Sequence, residues 1–132
     1  MHRTVLIAED AGECNSTLAV ALSGFLNLTV ASARNGVDAW EQLQRDTAHS
    51  ICALLTDLDM PLLDGFGLIA KVRAHPDYQN FPILVLSGST EPGAAKRALR
   101  AGADAYFEKP YSPARVRDKL EQLLYEKNRA PA

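Results

Sequence analysis

Four carboxylates stand where two apolar runs stop. Glu9 and Asp10 follow Thr4-Val-Leu-Ile-Ala8, and Asp57 and Asp59 follow the run Ile51–Thr56. Carboxylates gathered in one place repel each other, and burial raises that cost, so something positive must sit among them. An all-oxygen set suits a hard divalent cation, Mg²⁺ first and Mn²⁺ as the alternative. Two further polar residues close apolar runs in the same way: Ser87 after Ile83–Leu86, and Lys109 after Ala105–Glu108. An acidic metal pocket, a central carboxylate, a hydroxyl and an ammonium together support phosphoryl transfer to a carboxylate. Asp57 can attack as a nucleophile and carry the product as an aspartyl phosphate. A phosphoryl group in flight spreads charge over its oxygens and needs positive charge and donors around it. A cation held by Asp10 and Asp57 takes one oxygen, Ser87 donates to a second and Lys109 pairs with a third. Gly88, next to Ser87, keeps the approach to Asp57 open.

For those residues to meet, the runs must be parallel strands of one sheet. Val/Ile/Leu-rich runs with no helical spacing read as strands buried on both faces, the mark of a parallel sheet, whose ligands bind beyond the carboxyl ends of the strands. Strands are expected at Thr4–Ala8, Leu28–Ala31, Ile51–Thr56, Ile83–Leu86 and Ala105–Glu108. Between them the apolar spacing turns helical. Asn15–Phe25 carries Leu18 and Leu22, with Phe25 and Leu26 at its end. Val37, Trp40 and Leu43 form the buried stripe of a second helix, which follows an Asn35-Gly36 turn and ends near Asp46. Phe66, Ile69 and Val72 mark a third helix, begun after Pro61 and Asp64-Gly65 and stopped by His75-Pro76. Pro92–Ala101 reads as a fourth, with Pro92 in its first turn and Gly102 as its C-terminal cap. Pro113 to about Lys127 is the fifth, burying Val116, Leu120, Leu123 and Leu124. Five strands alternating with five helices imply a parallel sheet covered on both faces.

The whole chain fits that plan. Its 132 residues, 47% apolar, suit one domain over residues 1–132 with a core at 4–127, leaving 128–132 as a tail or the start of a linker. A net charge of −2, from 14 basic and 16 acidic residues, provides no basic field for nucleic acid. Cys14 and Cys52 lack paired metal spacing and read as reduced, buried thiols. With no secretory segment after Met1 and no run of membrane-spanning length, a cytoplasmic protein is expected.

The acidic pair Glu9-Asp10, the run Asp57-Leu-Asp-Met-Pro-Leu-Leu-Asp-Gly65, the Ser87-Gly88-Ser89 turn and Tyr106-Phe-Glu-Lys109-Pro110 fall in order on the expected elements. In these the chain resembles the CheY-like receiver (phosphoacceptor) domains of two-component response regulators, over essentially all of residues 4–127. The resemblance implies a flavodoxin-like α/β fold, a (βα)5 three-layer sandwich with strand order 2-1-3-4-5. It implies that Asp57 accepts a phosphoryl group from a sensor histidine kinase or phosphotransfer protein. Asp10, Asp57 and the backbone carbonyl of Asp59 would coordinate Mg²⁺, with Glu9 acting through water. Ser87 and Tyr106 would form a switch pair, the hydroxyl moving toward the phosphoryl group while the ring turns inward. Lys109 would bind that group, and the bond before Pro110 would be cis. Asp59 and Ser89 fall at the positions that tune dephosphorylation. Partners would dock on the fourth helix, fifth strand and fifth helix, or an attached output domain would use that face. Such a protein catalyses only its own phosphorylation and dephosphorylation and is no conventional turnover enzyme. Ser87 departs mildly from the family, where threonine is common; the hydroxyl stays and the χ1 stiffness of β-branching is lost.

Other residues carry plainer readings. Asp64 before Gly65 is a helix cap, Trp40 is packing, and His2, His49 and His75 lie in loop-like places without acids at ligand spacing. Lys96, Arg97 and Arg100 form a solvated helix face beside the partner surface. Asp57-Leu-Asp59 also fits the Asp-x-Asp signature of haloacid-dehalogenase-like phosphatases, but that motif follows a first strand, and here it follows the third. A toprim-like metal site leaves Ser87 and Lys109 unexplained. A flavodoxin-like cofactor binder wants a Ser/Thr/Gly-rich first loop, which Glu9-Asp10 replaces with repelling charge.

Overall fold

The computed structural model describes residues 3–9, 16–26, 28–88 and 91–128, with the backbone alone at 16, 17, 25, 26 and 128. Five strands, β1 (Thr4–Ala8), β2 (Thr29–Ala33), β3 (Ile51–Thr56), β4 (Ile83–Ser87) and β5 (Ala105–Glu108), form one sheet of order β2-β1-β3-β4-β5. Every pairing is parallel. The helices between them are α1 (Ser16–Leu26), α2 (Gly36–Arg45), α3 (Gly65–Ala74), α4 (Ala94–Ala101) and α5 (Pro113–Asn128), with a 3₁₀ turn at Pro76–Tyr78.

Side chains alternate along each strand with a period of two and so build two cores. Val5 and Ile7, Ala53 and Leu55, and Leu84 and Leu86 pack with Leu18 and Leu22 of α1 and Val116, Leu120, Leu123 and Leu124 of α5. Leu6 and Ala8, Leu54, and Ile83 and Val85 pack the other way, with Leu43 of α2, Leu68, Ile69 and Val72 of α3 and Ala98 of α4. The result is the flavodoxin-like three-layer sandwich.

Local sequence sets the element ends. Asn35, expected in a turn, caps α2 by accepting from the Asp38 N–H at 2.8 Å. Gly102 ends α4 at φ 123°, its N–H reaching Leu99 and the Ala103 N–H reaching back to Ala98, as in a Schellman ending. Four expectations shift. β2 runs to Ala33, because pairing with Ile7 and Ala8 of β1 overrides the weak strand preference of Ser32 and Ala33. Helix α4 starts at Ala94; Gly93 is its N-cap at φ 82°, which leaves Pro92 outside. Val37 is exposed rather than buried, since α2 seats Gly36, Ala39 and Leu43 and leaves Trp40 half-buried. Cys52 is only half-buried, and burial pushes its thiol pKa up; Cys14 lies outside the described residues.

Arg73 ties the elements at the amino edge of the sheet. It donates to the carbonyls of Gly102 (2.9 Å), Tyr78 (3.0 Å) and Gln79 (3.1 Å) and to the Asp104 carboxylate (3.1 Å), which also accepts the Ile83 N–H at 2.9 Å. Asp46 does the same between α2 and β3, accepting from the Ser50 N–H (3.0 Å), the Ser50 hydroxyl (2.7 Å) and the Ile51 N–H (2.7 Å). Burial works against its charge, but these three donors outweigh burial and hold its pKa below the ordinary 3.8. A lowered folded pKa contributes stability that is present above the unfolded value and lost as pH falls through the folded one. In urea denaturation at pH 7, Asp46→Ala should therefore cost about 1–3 kcal/mol. The gap between wild type and variant should narrow as pH falls below about 4.

Candidate functional site

The sheet ladder continues past the strand ends and carries the functional residues with it. The Asp57 N–H donates to Ala8 at 2.9 Å, the Glu9 N–H to Ala33 at 3.0 Å and the Lys109 N–H to Ser87 at 2.8 Å. Glu9, Asp57 and Lys109 are thus fastened to a neighbouring strand through their backbones.

Asp57 is the centre. Its side chain is 15% exposed, and Oδ2 accepts from Lys109 Nζ at 2.9 Å. Oδ1 accepts from the Leu58 N–H at 2.7 Å and, at greater length, the Asp59 N–H at 3.3 Å. The wholly buried Thr56 donates its hydroxyl to the Asp57 carbonyl at 2.8 Å. Lys109 starts from the end of β5 and must cross β4 to reach β3. A Cβ on Gly88 would meet Lys109 Cδ at 3.8 Å, an ordinary contact, so Gly88 lies under the lysine stem and does not hold the approach open by itself. The Lys109-Pro110 bond is cis.

Ser87 ends β4 completely buried, on the same sheet face as Ile83 and Val85. Tyr106 lies opposite Val85, half-buried on that face against the α2–α3–α4 core. It also lines a cleft of about 370 Å³ between the first turn of α4 and β5, with Glu91, Gly93, Lys96 and Glu108. Glu9 is half-buried beyond β1 and Asp59 is exposed. Asp10 and Ser89 lie outside the described residues. Among the described residues, no three His, Cys, Asp or Glu side chains gather at metal-ligand spacing. The donors at this edge, Glu9, Asp57 and the Asp59 carbonyl, are nonetheless all oxygen, the set a hard cation takes.

The loop from Asp57 into α3 is closely held. The Gly65 N–H donates to Leu58 at 2.9 Å, and a Cβ on Gly65 would run into the Asp57 carbonyl and come within 2.7 Å of Leu58 Cα. Asp64 caps α3 through the Gly67 N–H at 2.8 Å. Thr56 carried no signal in the reading of motifs, where it is simply the last residue of the run Ile51–Thr56. Leu62, outside the contacts of Asp57, sits at the loop tip with φ 71°. A cavity of about 550 Å³ lies at the other edge of the sheet, among Arg3, His49, Cys52, Phe81 and Lys127. It has no part in this site, which is an open edge rather than an enclosed pocket.

A sheet of this order with an acid–lysine pair at its carboxyl edge fits the class of response regulator signalling modules. The model of the response regulator receiver domain family matches residues 5–121, and the chain belongs to that family. It is 33% identical over 122 residues to a chemotaxis protein CheY homologue of Campylobacter jejuni, with 91% of each chain covered. The receiver domain of a signal transduction histidine kinase from Syntrophus aciditrophicus superposes with a TM-score of 0.84 at 25% identity, covering 98% of this chain and 96% of that one. A sensor histidine kinase receiver domain from Pseudomonas aeruginosa, solved with a magnesium ion coordinated in its active-site cleft, gives a TM-score of 0.78 at 26% identity, with 95% and 99% covered. Receiver domains are signalling proteins, and the phosphatase and toprim-like alternatives are set aside with them. No helix among the described residues is long and apolar enough to cross a membrane.

Gly65 offers a direct check on the loop. Gly65→Ala should destabilise the fold by about 1–3 kcal/mol, since α3 must retreat from Asp57 and Leu58. Urea denaturation measures the loss.

Proposed function

We propose that Asp57 accepts a phosphoryl group from the phosphohistidine of a sensor histidine kinase or phosphotransfer protein, in a reaction that requires Mg²⁺. The observation that carries this reading is Lys109 Nζ at 2.9 Å from Asp57 Oδ2, an ammonium brought across β4 to the carboxylate that directly follows the central strand. A carboxylate oxygen of Asp57 forms the new P–O bond as the donor's P–N bond breaks, and the imidazole leaves with the electron pair and takes up a proton. Lys109 neutralises the carboxylate beforehand and follows the negative charge onto the phosphoryl oxygens. The Leu58 N–H holds Oδ1 and so fixes the plane of the carboxylate. Asp10, Asp57 and the Asp59 carbonyl would hold Mg²⁺, with Glu9 behind, and the ion supplies charge neutralisation for the transferring group.

Phosphorylation replaces a monoanionic carboxylate with a bulkier, more highly charged group, and donors must be drawn toward it. Ser87, buried at the end of the adjacent strand, supplies a hydroxyl, and Tyr106 on the same face takes up the space released. States that differ by only a few kcal/mol interconvert, so a minor active-like population is expected before phosphorylation. Residues 4–127 make up the switch, and Asp59 and Ser89 tune how long the phosphoryl group persists. The surface of α4, β5 and α5 passes the change to a protein partner or an attached output domain. No nucleic acid is bound directly, and the only chemistry catalysed is the chain's own phosphorylation and dephosphorylation.

Acetyl phosphate in the presence of Mg²⁺ should label wild type with one phosphate per chain, read by mass spectrometry, and EDTA should prevent it. Asp57→Asn should abolish labelling; one phosphate per chain in that variant moves the acceptor elsewhere. Lys109→Ala should lower the labelling rate at least tenfold or uncouple labelling from a change in the Tyr106 signal. Wild-type behaviour on both counts removes Lys109 from the mechanism.

A further inference from the structure

Leu62 sits at odds with its surroundings. It is 81% exposed and held at φ 71°, with the Leu63 N–H donating to the Pro61 carbonyl at 2.8 Å. That is a γ-turn of the positive-φ kind, rare and strained, in a conformation that glycine or asparagine adopts more easily than leucine. The tip is also fastened. The Gly36 N–H donates to the Leu63 carbonyl at 3.1 Å, and a Cβ on Gly36 would come within 2.8 Å of Leu63 Cβ. The loop tip therefore presses on the first turn of α2, where Val37 is 39% exposed. Leu62 and Val37 share the rim of a crevice of about 340 Å³ with Arg34, Asn35, Asp38 and Glu41.

This crevice opens at the edge that carries Asp57. The loop begins at Asp57 and closes through Gly65 onto Leu58, and α2 begins where β2 ends at the same edge. A protein donor must bring its phosphohistidine over this edge, whereas a small donor needs only the carboxylate. An apolar pair inside a polar rim is the usual anatomy of a protein contact. The pair is far smaller than the ~800 Å² per partner of a stable dimer, which favours a brief visitor over a second copy. The acids Asp38 and Glu41 on its rim disfavour an anionic membrane.

We propose that Leu62 and Val37 form an auxiliary docking patch for the phosphodonor protein, accepting an apolar side chain from the donor's surface beside its phosphohistidine. The inference rests on Asp57 being the acceptor and adds where the donor grips.

The test compares two donors. Each histidine kinase of the host is autophosphorylated with ATP, and the one that labels wild type fastest serves as probe, with acetyl phosphate as the small donor. Leu62→Asn, chosen because asparagine tolerates the left-handed backbone, should lower kcat/KM for transfer from the kinase about tenfold and leave acetyl phosphate labelling within twofold. Val37→Ser should act in the same direction. Equal losses with both donors would assign the residues to the fold of the site and overturn the proposal, as would unchanged transfer from the kinase in both variants. Dimerisation of wild type that Leu62→Asn abolishes would give the patch to a second copy. If acetyl phosphate does not label wild type, the acceptor reading itself fails, a result separate from every outcome above.

Discussion

The site depends on confining carboxylates at one edge of a parallel sheet with an ammonium drawn in from two strands away. Lys109 must cross β4 to reach Asp57, and it can because small Gly88, just past the end of that strand, lies under the lysine stem. Register matters as much as order. A one-residue slip of β4 against β5 would break the Lys109–Ser87 bond that extends the ladder, and would put Ser87 and Tyr106 on opposite faces of the sheet. The pair itself contributes little to stability: with Lys109 32% exposed, it falls among ion pairs worth about 0–1 kcal/mol. The fold holds the pair, and the pair does not hold the fold.

What holds the fold lies elsewhere. The two apolar faces and the clasps at Arg73 and Asp46 are concentrated in the layers and at the amino edge, away from Asp57. Arg73 alone joins α3, the 3₁₀ turn, the end of α4 and the entry to β5, and Lys127 of α5 adds a second cation to Asp104 at 3.2 Å. Stability at one edge frees the other to be tuned for charge. This separation is common where binding loops sit on a rigid scaffold.

The sequence disclosed most of this because burial on both faces leaves so plain a trace. β1, β3 and β4 are nearly unbroken apolar runs, and a polar residue closing each run marks the edge directly. β2 is an edge strand whose last residues are Ser32 and Ala33, so pairing rather than composition sets its length. Val37 was misjudged because helical spacing gives a stripe but not its angle on the sheet; small Gly36 and Ala39 seat α2 closer than Val37 could. Pro92 misled because Gly93, in the left-handed region, breaks the backbone just before Ala94. Asp57, Ser87 and Lys109 were legible as types at strand ends, and Tyr106 through the family resemblance alone. The Thr56 hydroxyl on the Asp57 carbonyl depends on a side-chain rotamer that no spacing reveals, and the pressed tip at Leu62 on a contact between segments distant in sequence.

The two sides of Asp57 differ in how firmly they are built, and under the proposed function this would give a new charge there a direction in which to act. Toward β1 and β2, the loop into α3 is jammed at Gly65 against Asp57 and Leu58 and at Gly36 against Leu63, with backbone bonds closing both contacts. Displacement there meets atoms at once. Toward β4 and β5, α4 is eight residues long and seats only Ala94 and Ala98 as buried residues, with Leu99 48% exposed and Arg97 stacked at 3.9 Å over Phe66 of α3. Two alanines bury little apolar area, and a half-exposed cation–π contact adds only about 0.5–1 kcal/mol. A cleft already separates the start of that helix from Tyr106. An element so lightly anchored belongs to the low-stability end of the fold. On the proposed function, a donor drawn toward Asp57 from Ser87 would therefore shift the Tyr106 and α4 side before straining the α3 loop.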